Sequence, residues 1–91
     1  MAETARHIIF TGRVQGVGFR FVVFHAANRY QLTGWVRNCD DGSVEMVVQG
    51  PADGIDDCVL DIQQSFAGYI GETKIEPVPL DPKHKDFKIT F

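Results

Sequence analysis

At 91 residues the chain has room for one small domain, spanning 1–91, and not for two; with 44% apolar and 23% charged residues it has the composition of a globular protein rather than a disordered one. No apolar run approaches the ~20 residues of a membrane-spanning helix, and Met1-Ala2-Glu3-Thr4 has neither the basic flank nor the apolar stretch of a secretory signal, so the expected location is the cytoplasm. A net charge of -3 argues against nucleic acid as a partner.

The net charge conceals a division along the chain. Between Thr4 and Cys39 there is no Asp or Glu, yet five arginines stand there: Arg6, Arg13, Arg20, Arg29 and Arg37. From Asp40 onward 11 acids meet four lysines. An acid-free half in an acidic protein suits the reception of a small anion. The two cysteines, Cys39 and Cys58, form no CxxC and have no neighbouring histidine, which argues against a zinc or redox motif and for two reduced thiols.

In chain order, His7 to Val14 alternates as a strand, with apolar residues on both faces that suit a central position. Gln15-Gly16-Val17-Gly18 breaks it. Phe19, Val22, Val23, Ala26, Ala27 and Tyr30 then share one face of a helix. Thr33 to Asn38 and Ser43 to Gln49 read as two strands, with Asp41-Gly42 signalling the hairpin between them. Gly50-Pro51 ends the hairpin, and Pro51 is placed to open a second helix. Its buried stripe is Ile55, Val59, Ile62 and Phe66, with Gly68 as the C-terminal cap. Tyr69 to Pro77 is a weaker strand; Pro77, Pro79 and Pro82 mark an irregular loop. Phe87, Ile89 and Phe91 alternate in a last short strand. Strand, helix, strand, strand, helix, strand is the split βαβ order of a ferredoxin-like α+β sandwich, in which two helices cover one face of a mainly antiparallel sheet.

The sharpest local feature is Gly12-Arg13-Val14-Gln15-Gly16-Val17-Gly18-Phe19-Arg20. A strand enters a glycine-rich turn, and the turn opens a helix. Glycines allow backbone N–H groups to converge on a concave nest, and the helix start adds unpaired donors and partial positive charge. Such a loop can hold an anion. Arg20 stands in the first helical turn, the wrong end for a cation, at a cost of ~0.3–1 kcal/mol that a bound phosphate would offset. The same residues also fit a tight turn followed by a surface arginine. The strand lengths return Asn38 to the edge of the sheet that carries the loop. Its amide can donate and accept, as holding an attacking water requires; from position alone it also fits a turn residue before Asp41-Gly42.

Gly12 to Arg20 resembles the signature of the acylphosphatase family, and Gly34-Trp35-Val36-Arg37-Asn38 resembles its second motif. Asp41-Gly42-Ser43-Val44-Glu45 and Gln49-Gly50-Pro51 are similar to the family as well. The resemblance implies a ferredoxin-like fold, no metal or other cofactor, and a catalytic Arg and Asn, which fall on Arg20 and Asn38. The loop Gln15, Gly16, Val17, Gly18 and Phe19, with Arg20, is then the phosphate cradle. The partner implied is a small acyl phosphate, inorganic phosphate is the product, and a monomer is expected. Cys39 departs from members that carry a hydroxyl beside the catalytic Asn. In the related domain of hydrogenase-maturation carbamoyltransferases a proline follows the motif arginine, where Phe21 stands here, and the large remainder of such a protein is not in this chain. His7 and His25 read as structural rather than as bases, and Arg13 and Arg37 as solvated. An RNA-binding module on the same fold is disfavoured because Ser43 to Gln49 has no aromatic side chain on which a base could stack.

Overall fold

A computed structural model describes residues 3–90, so the Phe91 position of the last alternation lies outside the described residues. The chain runs β1 (Glu3–Gly12), α1 (Phe19–Arg29), β2 (Thr33–Asn38), β3 (Val44–Pro51), α2 (Ala52–Ser65), β4 (Ile70–Val78) and β5 (Phe87–Ile89). The strands form one sheet in the order β4-β1-β3-β2-β5. β1, β2, β3 and β4 pair antiparallel, and β5 lies parallel to β2. β1 is flanked by β4 and β3, as its two-sided apolar pattern predicts. β1 and β2 are each antiparallel to β3 and so run in the same direction, with β3 between them.

Several boundaries differ from the sequence reading, each for a tertiary reason. β1 begins at Glu3, four residues early, because Ala5 is buried between Gln49 and Val78 on the neighbouring strands. It ends at Gly12 after a register shift, and Val14 turns inward to 1% exposure. Pro51 closes β3 and occupies the N-cap of α2 in an extended conformation, so the helix opens at Ala52. The C-cap of α2 is Phe66, and Gly68 sits beyond it in the following turn at φ +88°.

Alternate residues of β1, β2 and β3 (Ile8 and Phe10, Val36, Val44, Met46 and Val48) point towards the helices and are fully buried. Phe19, Val23, Ala26 and Ala27 of α1 and Ile55, Cys58, Val59 and Ile62 of α2 complete this core. Phe19, at the first position of α1, packs edge-on against Phe10 at 5.1 Å and Phe66 at 4.9 Å. Each such pair adds about 0.5–1.5 kcal/mol beyond burial, so the start of α1 is anchored in the interior by a large side chain. Cys58 lies on the buried face of α2, and burial, with the Asp61 charge, pushes its thiol up to about 12. It is an inert core residue.

The sheet face opposite the helices carries a polar cluster. Glu45 accepts a hydrogen bond from Arg37, directly across from it on β2, and stands 2.7 Å from His7 Nε2, diagonally placed on β1. Arg37 also lies over the Trp35 ring, with its guanidinium carbon 5.3 Å from the centroid. Hydrogen bonding from His7 and then from Arg37 holds the Glu45 carboxyl below its ordinary value near 4.5, against the opposing effect of burial. A carboxyl with a depressed folded-state pKa adds stability above its unfolded value and loses it as pH falls through the folded value. Glu45→Gln is therefore expected to be less stable at neutral pH and to show a shallower loss of stability below about pH 4.5. Urea unfolding across that range checks this; an acid limb as steep as the parent's would assign the acid sensitivity to other carboxylates.

Candidate active site

The register brings the two sequence motifs together. Val44, at the start of β3, pairs with Phe10 of β1 on one side and Asn38 of β2 on the other. The chain leaving β1 therefore passes the end of β2. It crosses this edge of the sheet as a loop and enters α1 through Gly18, the N-cap, at φ +78° and ψ +15°. Gly16 is also left-handed, at φ +76°. A Cβ at either position would meet nothing within 4 Å, so torsion and not space requires glycine there. An L-residue in this conformation costs roughly 1–2 kcal/mol. Gly18 offers no capping side chain, and the first turn of α1 contains no acidic residue. The opening N–H groups of the helix are thus left to an outside acceptor.

Between the loop, the start of α1 and the end of β2 lies a cavity of about 110 Å³, lined by Val14, Gly16, Gly18, Phe19, Arg20, Phe21 and Asn38. Phe19 sends its ring into the core, so its backbone is what faces the cavity. Arg20 is half-buried, and its Nη1 donates to the carbonyl of Thr90, just beyond β5, at 3.1 Å. That contact braces the guanidinium from the far end of the chain. Asn38 Oδ1 is buried and has no hydrogen-bond partner among the described residues. A buried amide oxygen without a partner costs about 1–3 kcal/mol unless something else donates to it. Among the described residues no carboxylate lines the cavity. The nearest acid in sequence, Asp40, lines a neighbouring hollow with Arg37, Asn38 and Cys39.

Of the loop residues singled out by sequence, Gly16, Gly18, Phe19 and Arg20 line this cavity with Asn38, whereas Gln15 and Val17 do not. Val17 is 42% exposed. Gln15 turns its amide the other way, donating from Nε2 to the carbonyls of Cys39 at 2.7 Å and Ser43 at 2.8 Å. The Ser43 hydroxyl donates to Asp41 at 2.6 Å, and this bond, with the Ser43 N–H, holds the Asp41 carboxyl below its usual range.

The arginines of the acid-free half divide by role. Arg6, Arg29 and Arg37 pair with Asp56, Asp61 and Glu45, all from the acidic half. Arg13 lies over the Tyr69 ring at 5.1 Å. Arg13 and Arg37 are exposed, in keeping with their reading as solvated, and each also packs on an aromatic ring: Arg13 on Tyr69 in the turn before β4, and Arg37 on Trp35 two residues earlier on β2. Arg20 is the arginine that lines the cavity. His25 stacks beside Phe21 and His7 is held at Glu45, and neither lines the cavity. Two site features escaped the sequence reading. Phe21 contributes to the cavity wall while 64% exposed, and the Thr90 carbonyl reaches Arg20 across 70 positions of sequence. No local pattern could signal the second.

Among the described residues the cavity presents N–H donors and a guanidinium and no acidic side chain, a donor set matched to a small anion rather than a cation. Among the described residues no group of three or more His, Cys, Asp or Glu side chains could hold a metal ion. Fold and site define a two-layer α+β protein with an arginine-lined cavity at one edge of its sheet. The Acylphosphatase family model matches residues 6–89, and the chain belongs to the acylphosphatase family. An acylphosphatase of Geobacillus kaustophilus is 44% identical over 87 residues, which cover 93% of this chain and 92% of that relative. The crystal structure of an acylphosphatase from Bacillus subtilis superposes with a TM-score of 0.89 at 33% identity, covering 99% of this chain and 100% of that one. The fold also matches part of HypF from T. kodakarensis, with a TM-score of 0.84 at 29% identity over 97% of this chain and 12% of that one.

Proposed function

We propose that this protein hydrolyses acyl phosphates to a carboxylate and inorganic phosphate without a metal ion, using Arg20 and Asn38 as its catalytic residues. The observation that carries the reading is that one cavity brings together the Arg20 guanidinium and the buried Oδ1 of Asn38, which has no hydrogen-bond partner among the described residues. The phosphoryl group enters the cavity against Arg20 and the backbone N–H groups from Gly16 to Arg20. The guanidinium fork and the helix start stabilise its negative charge. A water donates one proton to Asn38 Oδ1, which leaves a lone pair free to face phosphorus on the side opposite the leaving carboxylate. As the new P–O bond forms, the bond to the acyl oxygen breaks. The attacking water's other proton passes to a phosphate oxygen. The leaving carboxylate is weakly basic and needs no protonation, so positioning and charge stabilisation suffice.

In this reading the enzyme acts as a monomer, since one chain supplies every residue lining the cavity. It works in the cytoplasm, where its two free cysteines stay reduced. In this reading nucleic acid has no part, the net charge being -3; among the described residues no helix is long and apolar enough to cross a membrane.

The reaction class is tested by offering a synthetic acyl phosphate and a simple alkyl phosphate monoester, both in excess chelator. The acyl phosphate is expected to turn over and the monoester to remain nearly untouched, because its alkoxide leaving group is strongly basic and no acid stands in the cavity to protonate it. Folded protein that binds phosphate and hydrolyses neither compound would turn the reading into that of a phosphate-sensing domain.

A further inference from the structure

We infer that Gln15 is a positioning residue that sets the separation between the phosphate cradle and Asn38, an inference that rests on the hydrolase reading above. Its Nε2 carries two protons, and both are committed: one to the Cys39 carbonyl at 2.7 Å, the other to the Ser43 carbonyl at 2.8 Å. These carbonyls flank the neck of the β2–β3 hairpin, which Cys39 N–H closes by donating to Ser43 O at 2.8 Å. Cys39 directly follows Asn38, and Gln15 directly precedes Gly16. One side chain thus bolts the loop that faces the phosphoryl group to the hairpin that carries the water-holding amide at the end of β2.

The sheet does not make this connection by itself. β1 and β2 are not neighbours, since β3 lies between them, so no ladder hydrogen bond joins their ends directly. Along the chain Gln15 is 24 and 28 positions from its two partners. A displacement of about 1 Å between reacting groups can lower a rate roughly 100-fold while leaving each group able to bind. The residue type fits the task. Asn is one methylene shorter, Met fills the space without a donor, and Glu turns oxygens towards two carbonyl oxygens.

The test is a comparison of Gln15→Met and Gln15→Glu with the parent. Gln15→Met is expected to lower kcat on an acyl phosphate by about tenfold or more and to change the inhibition constant of inorganic phosphate by less than about threefold, because the cradle and Arg20 remain. Combined with Asn38→Ala, the two losses should fall well short of their product, since both act through the same water. In Gln15→Glu, kcat should rise as pH falls and the carboxyl regains a proton to donate, a trend the parent lacks. This variant also decides the matter if Gln15→Met does not fold. Near-parental kcat in either folded variant, or losses at Gln15 and Asn38 that multiply in full, would overturn the inference. A second readout needs no turnover: in NMR titrations with inorganic phosphate, the Gly16 and Gly18 amides and the Asn38 side-chain amide should all respond in the parent. In Gln15→Met only the glycines should respond. If the parent fails to hydrolyse acyl phosphates, the hydrolase reading falls, and this titration still judges the positioning role. A full Asn38 response in Gln15→Met would remove it.

Discussion

Arg20→Ala is expected to weaken inorganic phosphate binding severely and to reduce turnover by about 10³-fold or more, the range found when a guanidinium that stabilises a transferring phosphoryl group is removed. Arg20 lines the cavity at the opening turn of α1, where it and the helix N–H groups face the same volume. Lysine is expected to recover little, because a point charge cannot donate two parallel bonds to phosphate oxygens. The stability effect is a balance. Removing a cation from a helix start relieves ~0.3–1 kcal/mol, whereas losing the bond to the Thr90 carbonyl costs about 1–2 kcal/mol. The net loss should be about 1 kcal/mol, small enough for the variant to remain folded. Isothermal calorimetry with inorganic phosphate, beside kinetics, checks both parts. Unchanged phosphate affinity in folded Arg20→Ala would move the anion site elsewhere.

Asn38→Ala separates binding from chemistry. Its amide oxygen is buried in the cavity without a partner among the described residues, and a water carries no charge that would hold it in line by itself. Deleting the amide should lower kcat by about 100-fold or more, while competitive inhibition by phosphate stays within a few-fold, the pattern of an interaction made chiefly in the transition state. Because an unpartnered polar atom is removed from the interior, stability should change little. Asn38→Asp should be no better, since a carboxylate there would face the incoming dianion in a cavity otherwise free of acid. The comparison that decides is kcat against the phosphate inhibition constant. If folded Asn38→Ala retains near-parental kcat, Asn38 is a hairpin residue and the water is held by a backbone group. The Ser43 hydroxyl is not the alternative, since it is engaged by Asp41.

The order of elements was legible because period and punctuation are local. The face formed by Phe19, Val23, Ala26 and Ala27 and the alternation of β1 follow from helical and strand geometry alone. Gly16 and Gly18 mark the loop because their backbone angles suit almost no other residue. Boundaries were less legible, since they depend on what lies alongside. β1 starts early because Ala5 finds neighbours on β3 and β4, and Val14 leaves the strand because the core beneath the loop takes its side chain. Cys58 was read only as a reduced thiol, and its place in the buried stripe of α2 comes from packing against the sheet.

The sequence by itself determined the element order and the glycine loop at a helix start, and its resemblance to the acylphosphatase family singled out Arg20 and Asn38, on which the functional reading rests. Element order and loop are matters of residue type and spacing within one segment, where backbone torsion, periodicity and the helix dipole act over a few residues. Tertiary structure alone decided which groups meet. It set Phe10 and Asn38 on either side of Val44, gathered His7 and Arg37 onto Glu45, and sent three arginines to carboxylates outside the cavity. It also turned Gln15 from the cradle to the hairpin and brought the Thr90 carbonyl to Arg20. These contacts depend on strand register and on the crossing of segments tens of residues apart. A shift of one residue in register would send every side chain of a strand to the other face, so no local pattern can specify them.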